Sequence, residues 1–166
     1  IPDELSMVEA AALPEAFATS YLNLCIEAGM KHGDTVFIQA GASGLGMVAI
    51  QMAKSIGAKV ITTVGSNTKV DFARKLGADV VINHRTQDVA SILEEHPVDI
   101  GMDCVAGPNL GSCLKTLSRG GRWIVIATLG GSDATIDMTD FFKRGVRLVG
   151  STLRSRSSEM KAKILS

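Results

Sequence analysis

Between a short β-rich run and a helical segment the chain reads Ile38-Gln39-Ala40-Gly41-Ala42-Ser43-Gly44-Leu45-Gly46. A turn of this composition suits one kind of chemistry, the holding of a phosphate. Three glycines leave no side chain between an anion and the backbone, the amides of the following helix start converge there, and the helix dipole favours negative charge by roughly 0.3–1 kcal/mol. Ser43 stands where the dinucleotide fingerprint G-x-G-x-x-G has its second glycine; it is small, and its hydroxyl can donate to a phosphate oxygen. The plain alternative is that the glycines only let the helix pack close on the strand. No Lys-Ser or Lys-Thr follows the turn, which speaks against a triphosphate loop.

The end of the next apolar run says which dinucleotide would fit. An acidic residue about 20 positions beyond the glycines binds the ribose hydroxyls of NAD; here Gly65 takes that place, in Thr63-Val64-Gly65-Ser66-Asn67-Thr68-Lys69. A carboxylate would repel a 2′-phosphate, whereas Gly65 leaves room, Ser66 offers a donor and Lys69 a positive charge, so the expected cofactor is NADP(H). Otherwise Ser66 or Asn67 only caps the following helix and Lys69 is solvated; for Ser66 the two roles are compatible. His84, followed by Arg85, ends the third apolar run, where an imidazole can stack on adenine or meet the 2′-phosphate, or simply lie at the surface. His32 and His96 fall in surface turns and are not read as catalytic.

The elements that must position these residues follow from periodicity. Helical spacing from Leu5 to Met30, with Pro14 dividing two helices, precedes a first strand at Thr35 to Ala40. Leu45 to Ile56 is helical and closed by Gly57; Lys59 to Val64 is a strand; Thr68 to Leu76 is a helix closed by Gly77, with Thr68-x-x-Asp71 as a capping box. Strands at Asp79 to Ile82, Asp99 to Val105, Arg122 to Thr128 and Val146 to Ser151 alternate with helices at Asp88 to Glu95, Asn109 to Leu117 and Met138 to Lys143. The fold predicted is α/β, a Rossmann-type doubly wound six-stranded parallel sheet in the order 3-2-1-4-5-6 with helices on both faces. No internal repeat, linker or low-complexity segment interrupts it.

Bulk properties agree. At 166 residues the chain suits one domain, and 46% hydrophobic with 4% aromatic residues is the aliphatic profile of buried parallel strands. Basic and acidic residues balance at 17 each, so no net field draws it to nucleic acid or an anionic membrane. Cys25, Cys104 and Cys113 are odd in number and widely spaced, as expected of free thiols in a reducing compartment, and the expected location is cytoplasmic. No run approaches the roughly 18 apolar residues of a membrane span. The first residues, Ile-Pro-Asp-Glu, lack an initiator methionine and the last ones stop within a helical pattern, so both ends are expected to be cuts.

Several segments in order resemble a known family: VEAAALPEAFATSYLNL, GDTVFIQAGASGLGMVAIQMAKSIGAKVITTVGS, KLGADVVINHR, GGRWIVIATLGG and FFKRGVRLVGSTLRSR. Together they look like the cofactor domain of NADPH:quinone oxidoreductases of the medium-chain dehydrogenase/reductase superfamily, and the similarity covers essentially the whole chain. The closest likeness is to the quinone oxidoreductases similar to the tumour-suppressor-inducible one; zinc alcohol dehydrogenases are more distant. On this resemblance Ser43, Gly44, Leu45 and Gly46 match the pyrophosphate loop, and Gly65, Ser66 and Lys69 the 2′-phosphate pocket. His84 stands where the family usually has a tyrosine. Thr19 matches a threonine near the nicotinamide, and Cys104, Val105, Ala127, Thr128, Leu129, Ser151, Thr152 and Leu153 match the strand ends that hold the nicotinamide ribose and carboxamide. For the apolar ones the alternative is core packing.

The resemblance further implies hydride transfer from NADPH to a quinone or activated alkene. The small-molecule substrate would bind in a cleft against a catalytic β-barrel outside residues 1–166, and this domain alone would be inactive. Catalytic residues cannot be named within it. Enoyl-thioester reductase modules and zinc-dependent alcohol dehydrogenases are the alternatives. Glu15 falls near where the latter place a zinc-ligating cysteine, but no histidine or cysteine accompanies it, so no metal is expected. The family commonly dimerises through the sixth strand, here Val146 to Ser151, and a homodimer is expected.

Overall fold

A computed structural model describes residues 3–165 of the chain. Six strands, β1 (Thr35–Ile38), β2 (Lys59–Val64), β3 (Val80–Asn83), β4 (Val98–Asp103), β5 (Leu117–Val125) and β6 (Arg147–Gly150), form one parallel sheet in the order β3-β2-β1-β4-β5-β6. This is the predicted Rossmann-type order. The helices are α1 (Met7–Ala12), α2 (Pro14–Tyr21), α3 (Gly44–Ile56), α4 (Asn67–Lys75), α5 (Val89–Glu94), α6 (Leu110–Lys115), α7 (Met138–Arg144) and α8 (Ser158–Leu165). Pro14 opens α2, where its missing N–H has no helical partner to lose, and α2 runs on into a π-helical turn, Leu22–Glu27, that periodicity did not reveal.

Alternation along the buried strands splits the core in two. Val36, Ile38, Val60, Ile100, Met102 and Ile124 point to one face, against Leu24 of the π-helical turn, Ala49, Ile50 and Ala53 of α3 and Ala73 of α4. Phe37, Ile61, Ile82 and Trp123 point to the other, against Leu93 of α5 and Leu110, Cys113 and Leu114 of α6. Gly101 makes room for the indole, since a Cβ there would lie 2.2 Å from the ring, and the Trp123 and Phe37 rings sit 5.5 Å apart. Covering both faces is what makes a parallel sheet stable, because neither face can be left to water.

Several boundaries differ from the sequence reading. β1 ends at Ile38 and β4 at Asp103, two residues early in each case, because the chain then leaves the sheet through left-handed Ala40 and Ala106. β5 starts at Leu117, its register against β4 jumping from Val98–Leu117 to Ile100–Arg122 around a bulge, and ends at Val125. The predicted capping box at Thr68 does not form. Ser66 follows β2 in an extended conformation and takes the N-cap, which places Thr68 inside the first turn, its hydroxyl bonded to Ser66 Oγ at 2.9 Å. A capping box does occur at Ser6 and Glu9, ahead of α1. Gly57 closes α3 as expected, left-handed at φ 88°.

Candidate functional site

The glycine turn leaves β1, rises through Ala40 at φ 57° and enters α3 at Ser43. β2 holds it in place: Thr62 Oγ1 donates to the Ile38 carbonyl at 2.6 Å, Ala40 N–H donates to Thr63 Oγ1 at 2.9 Å, and Gly41 N–H donates to the Thr63 carbonyl at 2.8 Å. Thr63 Oγ1 in turn donates to Gln39 Oε1 at 2.9 Å. Ser43 Oγ accepts Gly46 N–H at 3.0 Å, an N-cap that contributes about 1 kcal/mol and leaves the hydroxyl proton free to donate outward. Gly44 and Leu45 start the helix ahead of its first backbone bond, Met47 N–H to Ser43 C=O, so their amides have no partner within the helix.

The three glycines do different things. A Cβ on Gly41 would lie 2.2 Å from Thr62 Oγ1, and one on Gly46 would lie 2.3 Å from the Ala40 carbonyl. For these two, close packing is reason enough. Gly44 has no protein atom within 4 Å of where its Cβ would be, and is the glycine that faces open space.

At the ends of β2 and β3 basic side chains converge. A Cβ on Gly65 would stand 3.3 Å from His84 Nε2 and 3.7 Å from Arg85 Nε. Asn83, 5% exposed, arranges this corner: its Nδ2 donates to Asn67 Oδ1 at 2.7 Å, its Oδ1 accepts Arg85 N–H at 3.2 Å, and its N–H donates to Gln87 Oε1 at 2.9 Å. Among the described residues none of Lys69, His84 and Arg85 has an ion-pair partner. Ser66 Oγ is bonded to Thr68 and makes no side-chain cap.

On the other side, Asp103 at the end of β4 accepts Val105 N–H at 2.7 Å and Ala106 N–H at 2.9 Å. The segment it holds is tied to the loop after β5 by Leu129 N–H to Cys104 C=O at 3.1 Å and Gly130 N–H to Val105 C=O at 2.7 Å. Burial, with the nearby Asp103 and Asp88 carboxylates adding to it, pushes the Cys113 thiol up to about 12, and burial followed by Asp103 raises Cys104 as well. Neither is poised as a nucleophile.

These segments enclose a pocket of about 530 Å³ in the crevice beyond the carboxyl ends of β1 to β4, where the strand order reverses. Of the residues anticipated from sequence, Ser43, Gly65, Lys69, His84 and Val105 line it. Gly44, Leu45 and Gly46 continue from Ser43 into α3, Ser66 occupies the N-cap position of α4 beside Gly65, and Cys104 adjoins Val105. The pocket lining does not include Thr19 on α2, Ala127, Thr128 and Leu129 after β5, or Ser151, Thr152 and Leu153 after β6. Ser151 is nonetheless anchored to the same sheet edge by its N–H to Val125 C=O at 3.0 Å. Sequence reasoning missed Gln39, Thr63, Ala106 and Asn109 on the lining and passed over Arg85 as a neighbour of His84. Arg85 was legible as a charge beside a strand end; the others carried no local signal. Asp88 is the acid on the lining, and its hydrogen bonds from Ser91 hold its carboxyl below the usual range.

The sequence profile of zinc-binding dehydrogenases matches residues 44–166. The chain belongs to the zinc-binding dehydrogenase family. Within this family it is 30% identical to human quinone oxidoreductase over 165 residues, covering 96% of this chain and 49% of that protein. It is 34% identical over 141 residues to a phenolphthiocerol/phthiocerol polyketide synthase of Mycobacterium tuberculosis, covering 82% of this chain and 6% of that one. Escherichia coli quinone oxidoreductase, solved in complex with NADPH, superposes with a TM-score of 0.87 at 27% identity, over 99% of this chain and 53% of its own. The chain therefore spans about half the length of the quinone oxidoreductases it matches. As to the metal in the family's description, among the described residues no three His, Cys, Asp or Glu side chains gather to hold one. Glu15 lies exposed on α2 and accepts the Thr19 hydroxyl at 3.4 Å, and the described residues do not form a zinc site. No helix among them is long and apolar enough to cross a membrane.

Proposed function

We propose that this chain is the NADP(H)-binding domain of an oxidoreductase that transfers hydride from NADPH to a quinone or an activated, electron-poor alkene. The observation that carries the reading is that Lys69, His84 and Arg85 line one pocket with Gly65 and with Ser43, the residue that leads into the open Gly44 and the unpartnered first amides of α3. A phosphate suits each end, and a dinucleotide with a 2′-phosphate suits both. The pocket fits the group on this chain's own terms: Lys69 and Arg85, without carboxylate partners among the described residues, on one side, a glycine-rich turn leading into a helix start on the other.

In this reading Ser43, Gly44, Leu45 and Gly46 receive the diphosphate, and Gly65, Ser66, Lys69, His84 and Arg85 the 2′-phosphate. The loops after β4, β5 and β6, with Cys104, Val105, Ala127, Thr128, Leu129, Ser151, Thr152 and Leu153, together with Thr19, orient the nicotinamide half. When bound, the cofactor supplies the hydride. The chain's contribution is to place the ring and exclude water from one side of it. The substrate cleft and its catalytic residues belong to a catalytic barrel outside residues 1–166, and the domain alone binds nucleotide without turnover. The quinone reductase relatives, of which this chain covers about half, support that division.

A second reading, an enoyl-thioester reductase module, is supported by the likeness to the polyketide synthase. It shares the cofactor site and differs in substrate, so reduction of an enoyl thioester against a quinone by the longer parent separates the two. The exposed β6 edge, with Leu148 37% exposed, supports a homodimer paired through that strand. The three free cysteines support a cytoplasmic location.

The test is a titration of the purified domain with NADPH and NADH, followed by nucleotide fluorescence and by calorimetry. Tighter binding of NADPH than NADH is expected. Equal affinity for the two, or none for either, rejects the reading.

A further inference from the structure

Asp103 is fully buried, yet among the described residues it has no cation beside it. Its carboxylate is instead filled by three N–H donors. Oδ1 takes the amides of Val105 and Ala106, at 2.7 Å and 2.9 Å, and Oδ2 takes the indole N–H of Trp123 at 2.9 Å. The donors come from two different places. Two belong to the loop that lines the pocket; the third belongs to the core beneath β5, where Trp123 is fully buried against Phe37 and over Gly101. The carboxylate therefore clamps a strand-end loop to the packed core.

That loop needs a clamp. Ala106 and Gly107 are successive left-handed residues, φ 52° and 72°, and a non-glycine residue holds such a conformation only where its surroundings over-determine it. Gly107 lies so close to the β5 loop that a Cβ on it would stand 2.5 Å from the Gly130 carbonyl. The carbonyls of Cys104 and Val105 in turn receive Leu129 and Gly130 N–H. One carboxylate thus fixes two adjacent loops at the binding edge of the sheet.

We propose that Asp103 is a positioning residue for nucleotide binding: anchored on Trp123, it sets the backbone from Cys104 to Ala106, and through it the loop at Leu129, in the shape that receives the cofactor. This inference rests on the NADP(H) reading above. It assigns a role to a residue that touches neither the phosphates nor the reacting ring.

The chemistry of an amide tests it. In Asp103→Asn the side chain keeps one acceptor and gains an NH2 donor, which must face either the indole N–H or the two loop amides, donor against donor. In a W123F background the indole N–H is gone, and the NH2 can turn to that side without conflict. The experiment measures NADPH dissociation constants by nucleotide fluorescence for wild type, D103N, W123F and D103N/W123F. Circular dichroism melts are recorded alongside, with amide hydrogen exchange at Val105 and Ala106. D103N is expected to weaken NADPH at least tenfold and to raise exchange at both amides, while the same change in the W123F background costs less than about threefold. A merely structural role would lower the melting temperature in both backgrounds and leave the affinity of the folded fraction, and the two amides, unmoved. Wild-type affinity in D103N, or an equal loss in both backgrounds, overturns the inference. Failure of the wild type to bind either nucleotide rejects the cofactor reading, and this inference with it; binding by wild type and D103N alike rejects this inference alone.

Discussion

Gly46 lies against the Ala40 carbonyl so closely that a methyl group on it would stand 2.3 Å from the oxygen. Two positions earlier, Gly44 has nothing within 4 Å of the same imagined atom. One turn thus contains, besides Gly41, a glycine required by packing and a glycine with open space beside it. Gly46→Ala is expected to destabilise the domain by about 1–3 kcal/mol, because the obstacle is backbone that cannot step aside. Gly44→Ala should melt within a degree or two of wild type and yet bind NADPH several-fold more weakly. Thermal unfolding with nucleotide titration checks both; equal melting temperatures for the two variants would contradict the distinction.

Gly65→Asp adds a carboxylate on a Cβ that would stand 3.3 Å from His84 Nε2 and 3.7 Å from Arg85 Nε. The new acid pairs with these groups and repels a 2′-phosphate, so NADPH affinity should fall at least tenfold, about 1.4 kcal/mol, while NADH changes little or gains. Lys69→Ala and Arg85→Ala should each weaken NADPH several-fold, an effect that shrinks as salt is raised. Competition between the two nucleotides at low and high salt reads these outcomes.

Asp79 joins α3 to the sheet through Lys54 Nζ at 2.9 Å and Val60 N–H at 2.7 Å. Partial burial raises its pKa, but the Val60 hydrogen bond and Lys54 outweigh it, and the net shift is below the ordinary 3.8. A carboxyl depressed in the folded state stabilises above its unfolded value and loses that contribution as pH falls through the folded one. Asp79→Ala should cost about 1 kcal/mol near neutral pH, the exposed half of the pair being discounted for screening. The gap to wild type should close below pH 3.8, as urea melts across that range would show.

Cys113 has its thiol raised to about 12 and is 2% exposed. At pH 8 it is therefore protonated and shielded, and a disulfide reagent should leave it unmodified in the folded protein over the minutes in which it labels all three cysteines in urea. Peptide mapping identifies the modified residue, and rapid labelling of Cys113 in the native state would contradict its burial.

Much of the fold is legible in the order of amino acids. Runs such as Lys59 to Val64 are too apolar on both faces for anything but a covered strand, and Gly57 and Gly77 stop their helices where a left-handed residue is needed. The error at Thr68 has a local cause: Ser66 and Thr68 both suit an N-cap, and where β2 ends decides between them. The bulge in β5 had no signature in its residues, since it arises from matching β4.

The candidate site divides in the same way. The amino-acid order alone determined the glycine turn, the missing acid at Gly65 and the nearby residues Lys69, His84 and Arg85, because each depends on residue type at or just beyond a strand end. Only the tertiary structure decided that Thr63 holds the turn, that Asn83 bridges Asn67 to the Arg85 backbone, and that Asp103 ties a pocket loop to Trp123. The bonds of Thr63 to Ala40, Asn83 to Asn67 and Asp103 to Trp123 join residues 16 to 23 positions apart, across neighbouring strands and helices. Their partners are chosen by strand register and burial, which no local pattern encodes.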